Sequence, residues 1–227
     1  MRGTMIAFPS PSVSTPAYLS FPETDAGAGV IVIQEWWGLN DHIRDVTDRF
    51  ADAGFVALSP DLYHGEIAQS PDDARKLSMA LNIQQASAEV GAGARHLLDM
   101  AQVTPTKVGV VGFCMGGQLA LCAAADHPDV IAACVDFYGA HSKAKLDPAA
   151  LQVPVLAHFG RKDPIVKRGD ADALVHALSA AGKFVDAYYY DDVGHAFFND
   201  TRPAAYDPAA AALAWDRTLA FLRDALR

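Results

Sequence analysis

The chain has 227 residues, of which 51% are hydrophobic and 20% charged, with a formal charge of −9 and a pI near 5.2. That length suits one α/β domain over residues 1–227, and so apolar a composition supplies a large core and excludes a disordered chain. An acidic surface repels phosphate backbones and anionic lipid head groups, which argues against nucleic acid or a membrane surface as a partner.

The first 27 residues are rich in Pro and Ser, with two short extended stretches, 5–8 and 17–21, expected as edge strands. Residues 29–35 form a β-branched run of the kind buried on both faces of a sheet. Asn40 and Asp41 can cap a helix that puts Ile43, Val46 and Phe50 on one face and ends near Gly54. A strand is expected over 55–62, then a helix over 71–93 broken around Asn82. A valine-rich strand over 107–113 leads into a small-residue helix over 115–127. Strands follow at 132–137 and 153–159, a helix at 170–181 and a strand at 184–190. Asp207 and Pro208 then start a final helix with Trp215, Leu219, Leu222 and Leu226 on one stripe. Strands alternating with helices imply βαβ units, hence a mostly parallel central sheet with helices on both faces.

No apolar run approaches the roughly 18–20 residues of a membrane helix, and the N-terminus lacks a signal peptide's apolar stretch. Three cysteines, Cys114, Cys122 and Cys134, leave one unpaired in any pairing, which suits a reducing cytosol. The expected localisation is cytoplasmic. Dinucleotide and phosphate loops and zinc-ligand spacings are missing, so neither a cofactor nor a metal is expected. The oligomeric state is not legible.

The chemical signal is Gly112-Phe113-Cys114-Met115-Gly116-Gly117, directly after a strand and opening a helix. That is the context of a nucleophile elbow, G-x-S-x-G, with Cys in the Ser position. The turn is so tight that side chains two before or two after the nucleophile would collide, hence the glycines. A structural buried Cys in a Gly-rich turn is the bland alternative. Against it, Asp163 and His195 follow in two successive loops, each after a strand, in the chain order of α/β-hydrolases. His195 would take the thiol proton and Asp163 would orient the imidazole. Among the eight histidines, His158 is the rival at a strand end, but it precedes the acid inside an apolar strand and reads as structural. In an α/β-hydrolase the loop after the first strong strand, Gln34 to Asn40, supplies an oxyanion amide. The expected donors are the backbone N–H groups of Met115 and Trp36.

The elbow, acid loop, histidine loop and Q-E-W-W-G-L-N segment together resemble the dienelactone hydrolase family, from about Gly29 to the C-terminus. Pro60-Asp61-Leu62-Tyr63 and Asp136-Phe137-Tyr138-Gly139 add to the resemblance. It implies Cys114, Asp163 and His195 as a triad, and Glu35 as the carboxylate that contacts the resting thiol and helps to activate it. The family grips a substrate carboxylate with two arginines. One belongs four residues after the catalytic His, where this chain has Asn199; the other belongs near Pro71, where Arg75 is nearest and out of register. Trp37, Phe197, Phe198 and Asn199 are therefore expected to line a pocket for a small neutral or aryl ester or lactone, and Asn199→Arg to improve anionic substrates. Two rival readings are an aryl phosphotriesterase using the same triad and a non-catalytic redox sensor built on Cys114.

Overall fold

The computed structural model describes residues 2–11, 14–140 and 146–227. Its elements in chain order are β1 (Thr4–Pro9), β2 (Ser14–Ser20), β3 (Gly29–Ile33), α1 (Asp41–Asp52), β4 (Val56–Pro60), α2 (Pro71–Ala80), α3 (Ile83–Leu98) and β5 (Val108–Phe113). These are followed by α4 (Met115–Asp126), β6 (Ile131–Phe137), β7 (Val155–Gly160), α5 (Arg168–Ala180), β8 (Val185–Tyr190) and α6 (Pro208–Ala225). The eight strands form one sheet in the order β1-β2-β4-β3-β5-β6-β7-β8. β3 through β8 run parallel, while β2 is antiparallel to both β1 and β4. This is the α/β-hydrolase fold.

Strand periodicity splits the core into two layers. In β3, Ile31 and Ile33 join the cluster that packs on α3 and α4, whereas Val30 and Val32 join the one that packs on α1 and α6. α1 opens on the expected cap, the Asn40 side chain accepting from the Ile43 N–H, and lays Ile43, Val46 and Phe50 on the sheet. Asp207 caps α6 in the same way, accepting from the Ala210 N–H at 2.8 Å.

Two expectations shift. β2 is an interior strand, with Ala17 to Ser20 buried between β1 and β4; of these first two strands β1 alone lies at an edge. The helical region does break at Asn82, whose side chain caps α3 by accepting from the Gln85 N–H, but α3 continues to Leu98 rather than stopping at Gly93. Its glycines are packing slots: a Cβ on Gly91 would lie 2.5 Å from the ring of His127, which caps the C-terminus of α4. Among the described residues no helix is long and apolar enough to cross a membrane.

Candidate active site

The C-terminal ends of the parallel strands share one edge of the sheet, and the site assembles there. The turn from β5 into α4 holds Cys114 at φ 55° and ψ −121°, a conformation that side-chain-bearing residues seldom adopt. The Cys114 N–H donates to the Phe137 carbonyl at 2.9 Å, and the Gly117 N–H donates to the Cys114 carbonyl at 3.0 Å. A Cβ on Gly112 would lie 1.9 Å from the Gly116 carbonyl, and one on Gly116 2.4 Å from that of Gln34. The glycines are therefore obligatory, and the second lets the loop after β3 press directly on the elbow.

Asp163 follows β7 and His195 follows β8. The Asp163 carboxylate meets His195 Nδ1 at 2.7 Å through Oδ2, while Oδ1 accepts the N–H groups of Ile165 (2.7 Å) and Val166 (2.9 Å). Three acceptances fix the carboxylate in its loop, so the ring it holds is fixed as well. Burial alone would lower the His195 pKa; the hydrogen bonds to Asp163 and Cys114 and the charges on both outweigh it and raise the imidazole to about 10. The structure therefore brings Cys114, His195 and Asp163 together.

Glu35 stands at the end of β3, almost fully buried. Its Oε2 accepts from Asn199 Nδ2 at 2.9 Å, and Asn199 Oδ1 in turn accepts from the Thr201 N–H (3.1 Å) and hydroxyl (2.7 Å). His42 of α1 completes the surroundings: burial lowers its pKa against the opposing charges of Glu35 and Asp200. Trp36 and Met115, the two expected oxyanion residues, are joined by Tyr63, whose hydroxyl donates to the Trp36 carbonyl at 3.3 Å and lies 3.6 Å from Met115 Sδ.

The expected pocket wall is corrected. Phe197 and Phe198 lie in the core, not on a pocket: Phe197 packs on Tyr190 and Tyr138, and Phe198 on Phe113 and Phe137. Ala196, between His195 and the two rings, takes a left-handed φ of 62°. Asn199 is also buried, and its amide donates to Glu35. Trp37 remains half-buried at the surface, with the Arg202 guanidinium 5.3 Å from its ring centre. Arg75 is ion-paired with Asp72 on the exposed side of α2. His158 is buried between the Tyr190 and Thr218 hydroxyls, its pKa pushed down to about 3 by burial and by Arg217.

Two residues were not singled out as site residues from sequence. Tyr138, fully buried, lies with its ring 4.9 Å from that of His195, and Tyr63 bridges the loop at Trp36 to Met115 of the elbow. Both sit inside the short segments that contributed to the family resemblance, which was the available signal.

The sequence profile described as "Dienelactone hydrolase family" matches residues 15–226. "Protein usf" of Aquifex pyrophilus is 37% identical over 230 residues, covering 99% of each chain. A protein of Aquifex aeolicus named as a candidate carboxymethylenebutenolidase is 32% identical over 231 residues, covering 99% of this chain and 100% of that one. Among solved structures, a dienelactone hydrolase-like promiscuous phosphotriesterase, P91 from metagenomic libraries, superposes with a TM-score of 0.89 at 22% identity, over 99% and 98% of the two chains.

Proposed function

Since this chain belongs to the dienelactone hydrolase family, we propose that it hydrolyses small neutral esters and lactones with Cys114 as the nucleophile, by way of a thioester. The observation that carries this reading is the Asp163–His195 bond of 2.7 Å, continued by the coupling of His195 to a Cys114 held in the elbow.

Cys114 gives its proton to His195, and the thiolate attacks the acyl carbon. The N–H groups of Met115 and Trp36 hold the oxyanion. The adduct collapses by expelling an alkoxide, which takes the proton back from His195. Water, deprotonated by His195, then attacks the thioester, and Cys114 departs as the leaving group. A thiolate leaves far more readily than an amide nitrogen, so an amide adduct returns to starting material while an ester or lactone goes forward. Asp163 fixes the imidazole tautomer and balances its charge.

The test is a panel of p-nitrophenyl esters, small lactones and one aryl phosphotriester, assayed with wild type and Cys114→Ala. Ester and lactone turnover should fall by more than about a thousandfold in the variant, roughly 4 kcal/mol of barrier, while circular dichroism stays native. Retention of ester activity within tenfold would remove Cys114 from the mechanism. A phosphotriester turned over faster than every ester would shift the substrate class.

A further inference from the structure

A half-open cavity of about 240 Å³ lies between the turn after β4 and the helices α2 and α3. Leu62, Leu77, Leu81 and Ala86 make its walls apolar, and Glu89 and His64 make one end polar. The polar end carries an unmet demand. Glu89 is only 1% exposed; its Oε1 accepts from Gln85 Nε2 at 2.9 Å and lies 3.3 Å from His64 Nε2, while its Oε2 has no hydrogen-bond partner among the described residues. A buried carboxylate oxygen can only accept, and leaving it without a donor is costly.

The cavity shares a wall with the nucleophile's surroundings. Tyr63 lines it, and the same Tyr63 hydroxyl reaches the Trp36 carbonyl and Met115 Sδ. Burial and then the charge of Cys114 push the Tyr63 phenol up, so the hydroxyl also lies within electrostatic reach of the nucleophile. Asp61 builds the turn responsible: its carboxylate accepts from the Tyr63 N–H at 3.1 Å and the Gly65 N–H at 2.6 Å, and His64 takes a left-handed φ of 53°. One short turn thus presents Tyr63 to the elbow and His64 to Glu89.

We propose that this cavity is the distal substrate subsite, receiving an apolar arm of the ester or lactone that ends in a hydrogen-bond donor, hydroxyl or ammonium, directed at Glu89 Oε2. The inference rests on Cys114 acting as an esterase nucleophile. A cavity on the order of 150 Å³ holds a benzene ring, so this one accommodates a ring or a short alkyl chain with its polar end. An arm ending in a carboxylate would meet Glu89 charge to charge and be refused.

Two measurements test it. The first is independent of turnover: calorimetric binding of 3-phenylpropanol, 3-phenylpropylammonium and 3-phenylpropanoate to the Cys114→Ala protein. The alcohol or the ammonium should bind at least tenfold more tightly than the carboxylate, and which of the two binds better identifies the donor. Ala80→Trp, at an exposed lining position, should abolish that binding; Glu89→Leu should erase the preference over the carboxylate. The second is kinetic, with p-nitrophenyl acetate, hexanoate and 6-hydroxyhexanoate. Wild type should favour the hydroxyhexanoate over the hexanoate about tenfold in kcat/KM, and Ala80→Trp should lower both long esters while leaving acetate unchanged. Acetate turnover with no binding of either donor, or long-chain kinetics untouched by Ala80→Trp, overturns the subsite alone. Binding without any wild-type turnover of acetate overturns the hydrolase reading and the subsite with it. Should Glu89→Leu fail to fold, Ala80→Trp still decides.

Discussion

Replacing Asn199 by alanine removes the amide that holds Glu35. Both residues are buried, at 1% and 2% exposure, and the bond between them is 2.9 Å. The other Glu35 oxygen, Oε1, has no hydrogen-bond partner among the described residues, and the Tyr138 hydroxyl lies beside Glu35 without the geometry of a full hydrogen bond. Asn199→Ala therefore leaves both oxygens of a buried carboxylate without a fully formed donor. Losing one charge-assisted bond of this kind costs about 2–3 kcal/mol, which for a chain of this size lowers Tm by roughly 5–10 °C. Urea unfolding of wild type, Asn199→Ala, Glu35→Ala and the double variant isolates the pair. A coupling energy of about 2 kcal/mol is expected, because the Asn199 bonds to Thr201 are lost in either background and cancel in the cycle, which leaves the bond to Glu35. A coupling below about 0.5 kcal/mol would refute the assignment of Asn199 to Glu35.

The remaining expectations concern the elbow and the buried ionisable groups. Gly116→Ala puts a Cβ 2.4 Å from the Gln34 carbonyl and should cost more than about 3 kcal/mol of stability or prevent folding; near-native stability by urea unfolding would mean that the loop after β3 is free to retreat. His195, raised to about 10 from an unfolded value of 6.5, contributes stability that is complete below about pH 6.5 and is lost as the pH rises through 10. Its imidazole resonances should titrate lower in Cys114→Ala; an unchanged titration would disprove the Cys114–His195 coupling. Asp136, buried beside the elbow, is raised to about 7 by burial against the opposing Gly139 N–H and the charge of His195, so it costs stability progressively as the pH rises from about 4 to 7. Asp136→Asn should stabilise the protein at pH 8 by up to about 4 kcal/mol, with the gain vanishing near pH 4; equal effects at both pH values would contradict this.

The architecture was largely legible because its signals are local. An all-apolar β3, capping side chains at Asn40, Asn82 and Asp207, and a Gly-flanked turn after β5 each fix an element through neighbouring residues. What failed depends on residues far apart in the chain. Gly91 and Gly93 look like a helix end until His127 and Phe8 are seen to occupy the space a side chain would need. β2 looks like an edge strand until the crossover from β3 to β4 inserts it between β1 and β4. The placement of Cys114, Asp163 and His195 is legible for the same local reason, since each follows its own strand. The aromatic residues beyond His195 are buried after a left-handed φ at Ala196, and no pattern of side chains announces such a backbone at alanine.

The same limit governs the residue four positions after His195. From sequence, Asn199 is a pocket position deprived of an arginine, and restoring the arginine should restore affinity for anions. In the folded chain it is a buried amide on Glu35, so an arginine there would pair with Glu35 before it met any substrate. The expected preference for neutral substrates then rests on a different argument. Glu35 is held by a neutral partner, and His42 beside it is kept toward its neutral form by burial. Arg49, the nearby cation, is bound to Asp45 and Asp200. Among the described residues of that cluster no unpaired opposite charge is left to offset Glu35, so a substrate carboxylate brought against Glu35 would meet repulsion inside a region of low dielectric, where like charges interact most strongly. On the proposed mechanism neutral esters would escape that penalty, because the charge they develop would lie at the oxyanion, beside the N–H groups of Met115 and Trp36.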